Sequence, residues 1–439
     1  MSKTNIREGY YIYPETLGYR EWIIPNNITN LQFIGCGSYG TVCKAKMHEI
    51  DDDGKPDISD VVVKKLTTPF ETKEKAEKTL REIQYMIDLV DSNYVIDISS
   101  VFTDSPNTTN LHDVYIVTYY CGNSLYKILE QKGPMDIDQI KLILYQILCG
   151  LKFIHSAGII HRDMKPANIC IENENMETKI IDLGLARSVF TDKTSQDENA
   201  DAYKDLTSAP TEYVQTRAYR APELILGFVS TYNYSIDMWS LGLIVIEMLT
   251  AKLILNFTSP MVHMHGICQI LGKIPYHDQL PKNILDSFLA PFKAEPVFGI
   301  DPGQFKAHNN SDNTNVGAGD NNFDNQMSQM TLAEITKNGT NNLPEIINSI
   351  FSHPGHPCIK ANQTEKAQIF DLISAMLTLN LDRARASDLL RSNFFSEVIN
   401  DDYDHENDDI CEDNSTVIRS VPDIDYYKSE IIQIIDENS

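Results

Sequence analysis

The chain has 439 residues, 42% hydrophobic and 23% charged, the proportions of an ordinary globular protein long enough to bury a large core. Against 37 basic residues stand 62 acidic ones, a formal net charge of -25, which argues against nucleic acid as a ligand and suits basic partners. Eight scattered cysteines without a CxxC pair, an opening MSKTNIREGYYIYP that is no signal peptide, and no bilayer-length apolar run predict free thiols, no membrane, and a cytoplasmic chain with access to the nucleus.

After an N-terminal extension, LQFIGCGSYGTVCKAKM has strand character on both sides of its glycines, and VVVKKL is a β-branched strand. The polar HEIDDDGKPDISD between them reads as a long hairpin loop. In KEKAEKTLREIQYMIDLV, Ala76, Leu80, Ile83, Ile87 and Val90 recur at steps of three and four, predicting an amphipathic helix, and VYIVTYY is again a strand. From residue 124 the pattern turns helical. IKLILYQILCGLKFIHSAG aligns Leu144, Ile147, Leu148, Leu151 and Ile154 with Gly158 as its stop, and SIDMWSLGLIVIEMLT reads as a core helix. Strands first and helices afterwards predict an α+β fold of two segregated lobes. The Asn-rich stretch 309–325 predicts a flexible insertion, and 396–413 holds nine acidic residues and no Lys or Arg.

Gly35, Gly37 and Gly40 match GxGxxG, with Val42 beginning a strand rather than a helix. A dinucleotide turn needs a helix there, so a strand–turn–strand flap whose backbone N–H groups approach phosphates fits better. Lys64 ends the β-branched strand, and Glu82 lies eighteen residues on, on the amphipathic helix; paired, they would aim an ammonium at two phosphates. HRDMKPAN follows, and Asp182 comes nineteen residues after Asp163. Phosphoryl transfer needs a carboxylate to orient the attacking hydroxyl, a cation near the transferred group and metal ions on the phosphates. Asp163 is the candidate base, Lys165 the cation, and Asn168 and Asp182 the hard oxygen donors for Mg2+.

With Ala221-Pro222-Glu223 and Asp237-Met238-Trp239-Ser240 added, the chain from about Leu31 to Phe395 resembles the eukaryotic protein kinases. Within them, VVVKKLTTPF, KTLREI, YQILCGLKFIHSAGIIHRDMKPAN and TEYVQTRAYRAPE resemble the mitogen-activated protein kinases, with features of both the extracellular-signal-regulated and the stress-activated branches. The resemblance implies the bilobal kinase fold: an N-lobe of antiparallel sheet plus one helix over 29–120, and a mainly helical C-lobe over 121–395 with an insertion about 300–342. Residues 1–28 precede them, and an acidic extension, 396–439, packs back on the kinase. It further implies ATP held by Gly35, Gly37, Gly40, Val42, Lys64, Thr118 as gatekeeper and Tyr120 within the hinge Tyr119 to Gly122, with Met86, Ile98, His161 and Leu183 stacked between the lobes.

By the same resemblance Thr211 and Tyr213 form a dual phosphorylation switch. Each phosphate adds about -1.5 to -2 charge at neutral pH and needs cationic partners. Arg81, Arg162 and Arg187 would converge on phosphorylated Thr211, and Arg217 and Arg220 on phosphorylated Tyr213. Kinases of this kind prefer proline after the acceptor Ser or Thr, in a pocket that Val214 to Arg217 would form, with Thr216 bonding near Asp163 and Lys165. Asp401, Asp402 and Asp404 fall near an acidic docking patch for basic motifs, although a like-charge run also reads as a solvated tail. The implied protein is a monomer, switched on by an upstream dual-specificity kinase. A second reading is a catalytically weak pseudokinase that scaffolds partners through its docking surface. Several positions depart from the pattern: Leu183 stands for the usual phenylalanine and Ala218 for a tryptophan, and either Arg383 or Arg385 must serve as the partner expected for Glu223.

Overall fold

The computed structural model describes residues 4–7, 10–13, 21–37, 40–50, 54–66, 68–105, 111–172, 175–188, 218–226, 233–255, 260–271, 342–353, 355–379, 383–399 and 424–437. Three short strands, β1 (Thr4–Arg7), β2 (Tyr10–Tyr13) and β3 (Trp22–Pro25), form an antiparallel sheet that leads into the first lobe. There β4 (Ile28–Gly37), β5 (Gly40–Ile50), β6 (Pro56–Leu66), β7 (Ile98–Thr103) and β8 (Val114–Tyr119) make one antiparallel sheet in the order β4-β5-β6-β8-β7.

The two-residue period of β6 decides what faces the cleft. Val61 and Val63 are fully buried in a cluster with Trp22, Ile24, Phe102 and Tyr115 on one side of the sheet. Val62 and Lys64 therefore point to the other side, where the helix packs. The expected long polar loop between β5 and β6 is a correction: Glu49 pairs with Asp57 and Ile50 with Pro56, so the strands continue through most of it. Cross-strand hydrogen bonding there outweighs the poor strand propensity of the acidic residues.

Helix α1 (Lys73–Asp88) begins at Thr72, whose hydroxyl accepts from the Lys75 N–H. It buries Ala76, Thr79, Glu82, Ile83 and Met86. Leu80 and Ile87 are only partly buried, and Val90 lies past the helix end and is exposed, so the stripe is rotated from the expected one.

In the second lobe, α2 (Leu125–Lys132) precedes α3 (Ile137–Ser156), which opens with an Asp136/Gln139 capping box. The expected face of α3 is fully buried, and Gly158 follows its end with φ +74°. After α4 (Pro222–Leu226), α5 (Ser235–Thr250) is buried at every residue and is the axis of the lobe. Around it lie α6 (Pro260–Leu271), α7 (Leu343–Ser352), α8 (Gln363–Met376), α9 (Ala386–Leu389) and α10 (Ser396–Ile399). The last helix, α11 (Ile424–Glu437), packs against α1 and β7, with the Lys428 ammonium 5.3 Å from the centre of the Phe70 ring. One apolar cluster runs from Leu66, Ile83 and Met86 through α3 to α5 and α8, so the lobes share a core. No helix among the described residues is long and apolar enough to cross a membrane.

Candidate active site

Two short antiparallel strand pairs frame the site. Strand β10 (Ile159–Ile160) pairs with β13 (Arg187–Ser188), and β11 (Ile169–Ile171) pairs with β12 (Thr178–Ile180). The loop from His161 to Asn168 and the turn from Ile181 to Ala186 are thereby laid side by side, tied by the Ile181 N–H donating to the Asn168 carbonyl at 2.9 Å.

Both segments carry backbone that L-residues seldom adopt: φ is +68° at Arg162 and +64° at Asp182. Asp237, buried in the first turn of α5, offsets the first of these. Its carboxylate accepts the N–H groups of His161 at 2.9 Å and Arg162 at 2.8 Å, and lies 2.9 Å from His155 Nε2. Burial alone would raise its pKa, yet His155, His161 and these bonds hold it below the ordinary carboxylate value. His161 is fully buried; its Nδ1 accepts the Asp163 N–H, which leaves Nε2–H to donate to the Ile181 carbonyl at 3.2 Å.

Asp163 is thus held from behind while its carboxylate faces the cleft. Oδ2 accepts from Lys165 Nζ at 2.7 Å and from Asn168 Nδ2 at 3.1 Å. Burial raises its pKa, opposed by the Lys165 charge. Asn168 also donates Nδ2 to the Asp163 carbonyl at 2.9 Å, so its amide oxygen is turned the other way. Across the cleft, Lys64 Nζ sits 2.5 Å from Glu82 Oε1 and 3.0 Å from Asp182 Oδ1. Burial disfavours the Lys64 ammonium, but Asp182 and Glu82 more than offset it, and its pKa lies above the ordinary lysine value. Asp182 is held low in turn: burial opposes ionisation and the Lys64 charge overcomes it. Gly184 completes the turn, and a Cβ there would meet Asp182 Oδ1 and Glu82 Oε2 each at 3.1 Å.

The donor set fits magnesium. An ionised carboxylate at Asp182 and an amide oxygen at Asn168 are hard ligands, and two such donors leave coordination positions for phosphate oxygens. Among the described residues there is no cluster of three or more His, Cys, Asp or Glu that would make an all-protein metal cage.

The roof is the β4–β5 hairpin. Gly35 lies opposite Val42 and Gly37 opposite Gly40, a strand–turn–strand arrangement and not the entry to a helix. Side chains at Gly35 and Gly37 would meet nothing within 4 Å, whereas Gly40 is required by packing, since a Cβ would stand 2.4 Å from the Lys65 carbonyl oxygen. At the rear, Thr118 is half-buried on β8 opposite Val62 and Ile98. The Tyr120 N–H donates to the Asp60 carbonyl at 2.9 Å, and Lys44 Nζ lies 3.5 Å from the centre of the Tyr120 ring.

A model of the protein kinase domain matches residues 28–395. The chain belongs to the protein kinase family. This kinase is 38% identical over 266 residues to mitogen-activated protein kinase pmk-1 of Caenorhabditis elegans, a match covering 61% of its own length and 63% of that protein. It is 35% identical over 265 residues to mitogen-activated protein kinase 14 of Xenopus laevis, covering 60% and 66%. To mitogen-activated protein kinase p38b of Drosophila melanogaster it is 36% identical over 263 residues, covering 59% and 64%. The matches span just under two thirds of the length of these curated relatives.

The expected switch residues Thr211 and Tyr213, together with Val214, Thr216 and Arg217, lie outside the described residues, as do Asp401, Asp402 and Asp404. The other phosphate-binding candidates are described. Arg81 pairs with Glu77 one turn earlier on α1. Tyr85, one turn further on, feels the charges of both Arg81 and Arg162, and its hydroxyl bonds to the backbone of Ser188, the neighbour of Arg187. Arg81 and Arg162 are therefore close to one tyrosine, which is bonded to the strand that carries Arg187. Arg220 shares a small cavity with Arg162, Asp163, Tyr219 and Asp237.

Of the interlobe residues, Met86, His161 and Leu183 are buried and Ile98 is half-buried. Arg383, and not Arg385, meets Glu223: Nη1 and Nη2 reach Oε1 and Oε2 at 2.6 and 2.9 Å, both residues buried. The sequence gives no separate role to Asp237 or Tyr85, and places Gly122 only as the end of the hinge. The first stood inside a recognised motif, which was the available signal. Gly122 has φ +97°, and a Cβ on it would lie 2.1 Å from the Ile171 carbonyl oxygen, so only glycine lets the chain leave the sheet so close to β11.

Proposed function

We propose that this kinase transfers the γ-phosphate of ATP to Ser or Thr residues followed by Pro in other proteins, as a MAP-kinase-like component of intracellular signalling. The observation that carries the reading is the pair of ion contacts from Lys64 to Glu82 and Asp182 opposite the Asp163–Lys165–Asn168 group. Lys64 binds the non-transferred phosphates, and Glu82 fixes the direction of its ammonium. Asp163 takes the proton of the attacking hydroxyl; burial makes it a better base than a free aspartate. Lys165 stands beside it with positive charge for the transferred group. Asn168 and Asp182 hold magnesium, which when bound neutralises charge on the phosphate oxygens.

Regulation in this reading comes from phosphorylation of Thr211 and Tyr213 by an upstream dual-specificity kinase. The nearness of Arg81 and Arg162 to Tyr85, itself bonded to Ser188 beside Arg187, supports it, because a phosphate received there would tie α1 to the loop bearing Asp163 and to β13. Basic docking motifs of partners would engage Asp401, Asp402 and Asp404. The protein would work as a monomer in the cytoplasm and nucleus. The test is a magnesium–ATP assay on Ser-Pro and Ser-Ala peptides before and after dual modification. Transfer is expected to the Ser-Pro peptide only and to rise on modification, and a Thr211→Ala, Tyr213→Phe double variant stays at the basal rate. Equal use of both peptides contradicts the specificity, and no transfer in either state contradicts the reading.

A further inference from the structure

The strand period that aims Lys64 at the cleft puts a second lysine on the same face. Lys44 of β5 lies opposite Val62, and Val62 lies opposite Thr118, so the three form one row across the ceiling of the cleft. One step further out, Lys46 lies opposite Asp60, and the Tyr120 N–H donates to the Asp60 carbonyl at 2.9 Å. The intervening Cys43, Ala45 and Met47 point the other way and are buried with Val61 and Val63. Lys44 Nζ stands 3.0 Å from Asp60 Oδ2 and 3.5 Å from the centre of the Tyr120 ring. We propose that Lys44 is a positioning residue for the nucleotide: by capping the Tyr120 ring and holding Asp60, it fixes the hinge backbone against which the purine base is placed. The placing of the base rests on the kinase reading; the clamp on the hinge does not.

An ammonium set against both an aromatic face and a carboxylate gains from two attractions at once. The side chains of Lys44 and Asp60 are 28% and 34% exposed, so water screens their pairing only in part. Lys46 pairs with the other Asp60 oxygen, and its bond and that of Lys44 hold the Asp60 carboxyl below its ordinary pKa. Asp60 therefore stays ionised through the neutral range and keeps its hold on Lys44. It grips the hinge twice: its carbonyl takes the Tyr120 N–H, and its carboxylate takes the ammonium that covers the Tyr120 ring.

With its N–H given to Asp60, Tyr120 offers no backbone donor to a purine edge; it acts by setting where its neighbours stand. The hinge is anchored at its other end as well. Gly122 closes on the Ile171 carbonyl, and the short strand β9 (Asn123–Ser124) then pairs with β11. Loss of the Lys44 ammonium frees one end of the hinge and leaves the other in place. Lys64, opposite Val42, stands one row inward of Lys44, so the groups that act on the phosphates keep their contacts, and the chemical step keeps its rate once nucleotide is bound.

The experiment compares the full chain with Lys44→Ala and Lys44→Arg. Amide hydrogen exchange is read first, without nucleotide, on peptides covering the hinge. Exchange there is expected to quicken about threefold to tenfold in Lys44→Ala, while peptides of α5 exchange as in the parent. Lys44→Arg is expected to restore the parent rate, because a guanidinium can meet both the ring and the carboxylate. Titration with magnesium–ATP and with adenosine is read second. Both are expected to bind Lys44→Ala more weakly by the same factor, with KM for ATP raised and kcat unchanged. Parent-like hinge exchange in Lys44→Ala overturns the clamp. Quicker exchange with unchanged binding of both ligands overturns the positioning of the base. Weakening of ATP alone overturns it too, since the lysine would then act on the phosphates. A parent chain that binds neither ligand contradicts the kinase reading, and the exchange rates still decide the clamp.

Discussion

At the scale of single residues, the site is built from groups whose ionisation the fold has rearranged. Glu247 on α5 shows this away from the chemistry: burial pushes its pKa up to about 7, against the hydrogen bond from the Tyr219 hydroxyl at 2.5 Å. The folded chain keeps this proton after the unfolded chain has lost it. The stabilising contribution is present below the ordinary glutamate value and disappears as pH rises through about 7. Glu247→Gln should therefore match the parent in stability near pH 4 and exceed it by about 3 kcal/mol at pH 8, as read by denaturant unfolding. An equal difference at both pH values contradicts the assignment. Within the site, Gly184→Ala places a methyl against both carboxylates that hold Lys64. Phosphate transfer should fall roughly tenfold to a hundredfold with little change in melting temperature. A full rate in this variant would mean that the contacts of Lys64 tolerate displacement.

At the scale of elements, several ties cross between helices and strands far apart in sequence. Arg383 anchors the segment before α9 to Glu223 on α4 and reaches the Ser235 carbonyl at the start of α5. Its guanidinium also stands 5.0 Å from the centre of the Trp239 ring. Arg383→Met leaves the Glu223 carboxylate buried without its partner and should cost about 3–5 kcal/mol of unfolding free energy. The double variant with Glu223→Met should recover most of that loss. If the double variant is no better than the single one, the pair is not the source of the effect. Tyr85 is the corresponding tie between α1 and β13, and it places the helix bearing Glu82 in contact with the strand that precedes the proposed switch.

For the whole molecule, what was legible in the sequence was whatever local pattern controls. HRDMKPAN was legible because the side chains that meet in it, His161, Asp163, Lys165 and Asn168, lie within eight positions. The Lys64–Glu82 contact was legible because a strand of period two and a helix of period 3.6 each present one face to the other. The same rules misjudged the edges. The polar insert 48–60 read as loop, yet on both sides of residues 51–53 the neighbouring strand supplies hydrogen bonds regardless of side chain. Val90 continued the helical spacing but falls after the backbone has turned. Asp237 as the clamp of the catalytic loop, Arg383 in preference to Arg385, and Gly122 against Ile171 depend on chain segments tens of residues apart, and no spacing rule encodes such meetings.

The central claim is that Asp163, held from behind by His161 and flanked by Lys165 and Asn168, is the group that takes the proton during phosphate transfer. It is tested most directly by the initial rate of transfer from magnesium–ATP to a Ser-Pro peptide, comparing the dually phosphorylated chain with the same chain carrying Asp163→Asn at equal nucleotide occupancy. The account predicts a rate lower by about 10²–10⁴-fold in the variant. Transfer by Asp163→Asn at the parent's rate would contradict it.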